Sequence, residues 1–217
     1  MKAAPETQSD RKHRVMLDAA RSLFLKQGYD GTSMEEIALR AGVSKQTVYK
    51  HFADKKRLFE EIVLATTAQV DQVVGMISNS LAATKDLEKD LTVLARGLIN
   101  ALMEPQLLRL RRIVIANAEL MPEMGRSWYE QGFERVLATL AACFKRLSDE
   151  RVLEVEDPML AANHFAGLLL WIPINEVMFT GSERAANKAA LDRCVSGAVK
   201  VFLAGYASAS QRRRAKM

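Results

Sequence analysis

The stretch "AGVSKQTVYKHF", residues 41–52, sets a glycine, a serine, two lysines, a tyrosine and a histidine into twelve positions. Gly42 suits the left-handed end of one helix and Ser44 suits the N-cap of the next. Two short helices joined by about three residues with a glycine inside cross steeply, as in a helix-turn-helix unit. At about 100° per residue, Lys45, Gln46, Tyr49 and Lys50 share one sector of the second helix, while Val48 and Phe52 fall on the other side. The apolar pair is expected to pack inward, which leaves a cationic, hydrogen-bonding face outward.

Upstream, Val15, Met16, Ala19, Ala20, Leu23 and Phe24 recur at the spacing of one helix face, so a helix is expected from Asp10 to a C-cap at Gly28. Residues 1–9 read as a loose arm. Thr32 with Glu35, and Ser33 with Glu36, each fit a capping box, and both starts of the short helix over Met34, Ile37, Ala38 and Ala41 stay open. Downstream, Asp54 caps a long helix that opens "KKRLFEEIVLATTAQVDQVVGMI". Three cations at a helix N-terminus oppose the macrodipole, a conflict that a docked phosphate would remove.

Past residue 80, amphipathic helices are expected over 86–103, 106–121, 123–148, 157–180 and 183–208, with Pro105, Pro122 and Pro158 at or near starts and Pro173 bending its helix. Strand signals are thin. The fold class is therefore all-α: a three-helix head over 10–57, joined by a long helix to a helical body over 58–208, then a basic tail over 209–217 that trails in solvent.

Charge supports the division. Residues 1–57 hold 12 Lys and Arg against 7 Asp and Glu, whereas residues 58–217 hold 19 against 19, so the whole surplus of +5 lies in the head. A basic head on a near-neutral body points to a polyanion for the head alone. No export signal opens the chain, which makes a cytoplasmic protein the expectation. The uncharged run 158–175 contains Asn163, His164, Pro173 and Asn175 and reads as a core helix, not a membrane span. Cys143 and Cys194 stand apart without a CxxC pattern, and His13, His51 and His164 form no metal-ligand or catalytic spacing, so no metal, cofactor or enzymatic activity is expected.

The run "GYDGTSMEEIALRAGVSKQTVYKHFADKKRLF" resembles the DNA-binding head of TetR-type transcriptional regulators. The shared pieces are the aromatic after the glycine, the Thr-Ser helix start, the "IA..AGVS" turn, the "YKHF" ending and the lysine that opens helix four; Gln46 departs, where many members carry glycine. The resemblance implies a homodimer on a double-stranded, palindromic operator and a helical body that binds a small ligand. Lys45 and Gln46 are expected on base edges, where Lys meets guanine and Gln meets adenine. Thr47 sits at the edge of that face within reach of base or phosphate, and Ser44 and Lys50 are further candidate DNA contacts, Lys50 equally readable as a nonspecific charge beside the duplex. Tyr49, His51 and Lys55, with the Thr32 or Ser33 end of helix two, are carried over from the family pattern as phosphate contacts.

In the body, Met103, Trp128, Phe133, Phe165, Trp171 and Met178 are candidates to line an apolar pocket, with Met121 and Met124 beside them. Asn175, Asn117 and His164 are candidate polar fixers of a largely apolar ligand. Each of these has a core reading as well. Small residues at Ala161, Ala162, Ala166, Gly167, Gly197, Ala198 and Gly205 suit an internal bundle or a dimer seam, and the resemblance selects the seam. A single short recognition helix reads few base pairs, so two half-sites about 34–36 Å apart are also physically motivated. The expected function is a repressor released from its operator by a small apolar ligand. The competing readings are a DNA-anchored architectural or protein-recruiting factor and, more distantly, a helical enzyme.

Overall fold

The computed structural model describes residues 7–65, 67–82, 84, 86–181 and 187–214. Among them the structure is helical throughout, apart from turns and one isolated antiparallel bridge between Leu153 and Ala207. They form two compact units, one holding the described residues of 1–66 together with 109–125, the other those of 67–108 and 126–217.

The first unit opens with α1 (Gln8–Gln27), two residues before the expected start. Thr7 accepts from the Asp10 amide while the Asp10 carboxylate accepts from the Thr7 amide, a capping box that fixes residues 7–9 as a helix start instead of a loose arm. Residues 1–6 lie outside the described residues. Then come α2 (Met34–Ala41), α3 (Lys45–His51) and α4 (Lys55–Ala65). Gly42 ends α2 at φ 66°, and its amide reaches back to Ala38 and Leu39. Met16, Ala20, Phe24, Ile37, Val48, Leu58 and Phe59 are fully enclosed, with Phe24 and Phe59 edge to face at 4.9 Å between centroids. Truncating one such phenylalanine costs about 3–5 kcal/mol, so this small core holds α3 in place.

The expected helix beyond Asp54 crosses Thr66, which lies outside the described residues; α4 precedes it and α5 (Thr67–Ser80) follows. The body continues with α6 (Leu87–Leu102). Next, α7 (Pro105–Ala116), whose residues from Arg109 onward belong to the first unit, stops short of the expected 121, where the Asn117 side-chain amide donates to the Ile113 carbonyl at 2.8 Å and the chain tightens into turns. The expected helix over 123–148 is α8 (Pro122–Trp128), one π-helical turn over Tyr129–Glu134, and α9 (Arg135–Asp149). α10 (Pro158–Thr180) runs through Pro173, and α11 (Lys188–Tyr206) follows residues 182–186, which lie outside the described set.

The body core is built on Phe144, Phe165 and Phe202, whose centroids are 4.9–5.7 Å apart across α9, α10 and α11. Ala161, Ala162 and Ala198 are buried in the same core, where their small side chains allow the helices to close on it.

The basic tail is not free over its described part. Residues Ala209–Arg214 form α12, anchored to the α9–α10 connection: Ser208 donates to the Val152 carbonyl at 3.1 Å and the Ala209 amide donates to Glu154 at 3.0 Å, while Arg212 donates to the Ala207 carbonyl at the end of α11 at 2.7 Å. Residues 215–217 lie outside the described residues.

Candidate nucleic-acid interface

The geometry of α3 follows from its two ends. Ser44 accepts from the Thr47 amide at 3.1 Å, and the two hydroxyls lie 2.8 Å apart, so the helix starts with a satisfied N-terminus. At the other end Phe52, 2% exposed, leaves the helix in extended geometry and seals the core. With Val48 fully buried beneath, Lys45, Gln46, Tyr49 and Lys50 are all exposed, and Thr47 is half-buried at the edge. The structure thus brings the expected base-reading residues together on one accessible face.

Lys45 is not idle on that face. Its ammonium pairs with the Glu35 carboxylate, from the first turn of α2, and lies 5.8 Å from the Tyr49 ring. This pairing holds the Glu35 carboxyl below the usual carboxylate range and pushes the Lys45 ammonium up. Sequence spacing pointed Glu35 only at a cap, and nothing in a pattern ten residues long pairs it with Lys45.

Two expected phosphate contacts take other roles. Thr32 is 2% exposed and its hydroxyl donates to the Gly28 carbonyl at 2.8 Å, which removes it from the surface. Ser33 is the cap instead: it accepts from the Glu36 amide at 3.2 Å, and the Glu36 carboxylate accepts from the Ser33 amide at 3.0 Å. The two carboxylate hydrogen bonds from Ser33 hold Glu36 ionised to unusually low pH. Lys55, also expected on phosphate, commits two of its three N–H donors inside the head, to the carbonyls of Tyr29 at 2.9 Å and Thr32 at 3.0 Å, with Tyr29 at 4.3 Å below the ammonium. It closes the α1–α2 turn.

His51, half-buried at the end of α3, lies 5.6 Å from His13 between ring centroids, and His13 shares a 2.5 Å contact with Glu61 of α4. The pattern reading left His13 aside; only the packing of α1 on α4 reveals it. An open groove beside His51 is lined by Arg57, Glu60, Glu61 and Leu64, and Arg57 already faces Glu60 at 3.5 Å. Its two carboxylates mark it as the end of the surface that would suit a phosphate.

The body candidates disperse. Met103 and Phe165 are buried in the core, and Phe133 and Met178 are half-buried against it. Trp128 is half-buried at the start of the π turn, where Tyr129 and Phe133 stack at 6.2 Å. Trp171, by contrast, projects from the surface, 71% exposed, beside Ile172. α10 is apolar on all sides here, so its periodicity gave no sign of which side faces in. The Asn175 amide donates to the Trp171 carbonyl at 2.7 Å, Asn117 bonds to its own helix, and the exposed His164 shares a 2.6 Å hydrogen bond with the Tyr206 hydroxyl. No helix among the described residues is long and apolar enough to cross a membrane.

Comparison with known proteins places this arrangement. Residues 16–62 match the family described as bacterial regulatory proteins, tetR family, and residues 89–208 match the AefR-like transcriptional repressor C-terminal domain. The transcriptional regulator AcrR of Shigella flexneri is 31% identical over 155 residues, 66% of this chain and 68% of that protein. A TetR-family transcriptional regulator from Mesorhizobium loti is 52% identical in its solved structure, with a TM-score of 0.85 over 93% of this chain and 100% of that one. The flavonoid-responsive regulator FrrA is 28% identical, with a TM-score of 0.68 over 91% and 97% of the two chains. Regulators of this kind bind DNA operators and dimerise. A helix-turn-helix head with an outward cationic face, matched together with the helical body that follows it in sequence, identifies the chain as a member of the TetR family of transcriptional regulators.

Proposed function

We propose that this regulator is a dimeric repressor that holds a palindromic operator through the outward face of α3 and leaves it when a small, largely apolar ligand occupies the helical body. The observation that carries the DNA half is the exposed set Lys45, Gln46, Tyr49 and Lys50 on a helix whose opposite side is locked by Val48. Lys45 and Gln46 read base edges; Ser33, Ser44, Tyr49 and His51 meet phosphate; Lys55 positions the turn behind them. Repression is supported by the likeness of residues 89–208 to the AefR-like repressor domain.

Dimerisation is supported by an uncovered apolar face on α10, where Leu168, Trp171, Ile172 and Phe179 are 40–86% exposed, with Val201 of α11 at 55%. An apolar patch of this kind marks an interface. Ligand response is supported by the π turn between Trp128 and Phe133, since such turns recur at functional sites, and by similarity to a flavonoid-responsive regulator. A coupling of about 1–3 kcal/mol would lower operator affinity by roughly 5- to 150-fold.

The test is fluorescence anisotropy on an operator fragment selected by the purified protein, with and without flavones and other planar apolar compounds. Operator affinity should fall several-fold with at least one of them. Affinity unmoved by every compound, with a protein partner captured on the operator complex instead, would favour the recruiting-factor reading.

A further inference from the structure

The Glu35–Lys45 pair places a carboxylate where a DNA-binding surface has least use for one. Glu35 lies in the first turn of α2, Lys45 opens α3, and their side chains are 55% and 57% exposed, so the pair bridges the two helices of the turn at the surface. It is not there to hold the fold. An ion pair this exposed contributes little to stability, and α2 already has its cap in Ser33 and Glu36.

A carboxylate and a phosphate compete for the same ammonium. While Lys45 is paired with Glu35 the two charges cancel, and Lys45 neutralises no phosphate. A duplex that offers only its backbone must separate the pair and then accept an ionised carboxylate beside its own negative charge. A cognate duplex is different in kind: guanine O6 and N7 give Lys45 directional acceptors, and a cytosine N4 amine gives Glu35 a donor.

We infer that Glu35 is a specificity-determining residue: an internal competitor for phosphate that weakens binding to non-cognate duplex and so raises discrimination in favour of the operator. Its effect is a penalty on wrong partners more than a gain with the right one. This inference rests on the proposed DNA-reading role of α3.

The experiment measures wild type, Glu35→Gln, Lys45→Gln and the double variant by anisotropy on a mixed-sequence duplex and on the selected operator, across 50–200 mM salt. Glu35→Gln should bind the mixed-sequence duplex roughly fivefold more tightly near 0.1 M salt, with a salt slope steeper by about 0.9, the value of one additional phosphate neutralised. Its operator-to-mixed ratio should fall, and both changes should shrink in the Lys45→Gln background. An unchanged slope in Glu35→Gln while the wild type still prefers its operator overturns the inference and leaves the DNA reading standing. So does a gain that persists in full without Lys45, because bulk charge would then explain it. Wild-type protein that prefers no duplex overturns both.

Discussion

Replacing Lys55 by methionine keeps the aliphatic stem and removes the ammonium that closes the α1–α2 turn. The lost contacts are hydrogen bonds of 2.9 and 3.0 Å to the carbonyls of Tyr29 and Thr32, and the ring of Tyr29 at 4.3 Å. A hydrogen bond from a charged donor contributes about 1.5–3 kcal/mol and an accessible cation–π contact about 0.5–1 kcal/mol. Contacts sharing one ammonium are not additive, and at this half-buried site water reaches part of what is vacated, so the expected loss is about 2–4 kcal/mol. The chain forms two compact units, so a global melt need not report on the head. Hydrogen exchange does. Amides in a peptide covering Tyr29 to Ala41 should exchange roughly 30- to 700-fold faster in Lys55→Met, the equivalent of that free energy at 1.4 kcal/mol per decade. Unchanged exchange there, together with a salt slope for DNA lowered by about one, would refute the clamp and return Lys55 to the phosphates.

Other expectations follow from single features. A Cβ at Gly31 would lie 2.5 Å from the backbone oxygen of Gln27, a contact relieved only by moving the turn, so Gly31→Ala should destabilise the head by about 1–3 kcal/mol in the same exchange assay. Trp171→Glu sets a charge in the uncovered apolar face and should shift the protein towards monomer in sedimentation velocity while far-ultraviolet dichroism stays unchanged; a dimer of undiminished affinity would move the seam elsewhere. The folded-state pKa of Glu36 is lowered by its hydrogen bonds from Ser33, so the capping box stabilises the head fully above the unfolded carboxyl range. That contribution is lost as pH falls through the lowered folded value. Wild type should therefore lose its advantage over Glu36→Gln as pH falls below the ordinary carboxylate range, and a gap independent of pH would contradict the assignment.

The head was legible because its determinants are local. Gly42, Ser44 and the Ser33–Glu36 spacing each act within four residues, which is the range a pattern covers. The choice between Thr32 and Ser33 was not, because both satisfy the same spacing and only the turn at Gly28 decides which hydroxyl is consumed. Lys55 escaped for a related reason: its partners are backbone carbonyls 23 and 26 residues earlier, which leave no trace in side-chain identity. In the body, Phe165 and Trp171 belong to one uncharged run and to opposite environments, since the stretch between His164 and Asn175 has no polar residue to label its buried side. The basic tail looked solvated, yet Glu154, 58 positions before Arg212, faces its guanidinium at 3.6 Å. The π turn has no sequence signature at all.

The central claim is that the outward face of α3 reads base sequence, and the most direct measurement is the ratio of operator to mixed-sequence affinity for Gln46→Ala. Gln46 carries no charge and is exposed, so its loss should reduce that ratio by about 1–3 kcal/mol, roughly 5- to 150-fold, while leaving the salt slope unchanged. A ratio equal to wild type would place sequence reading elsewhere in the molecule.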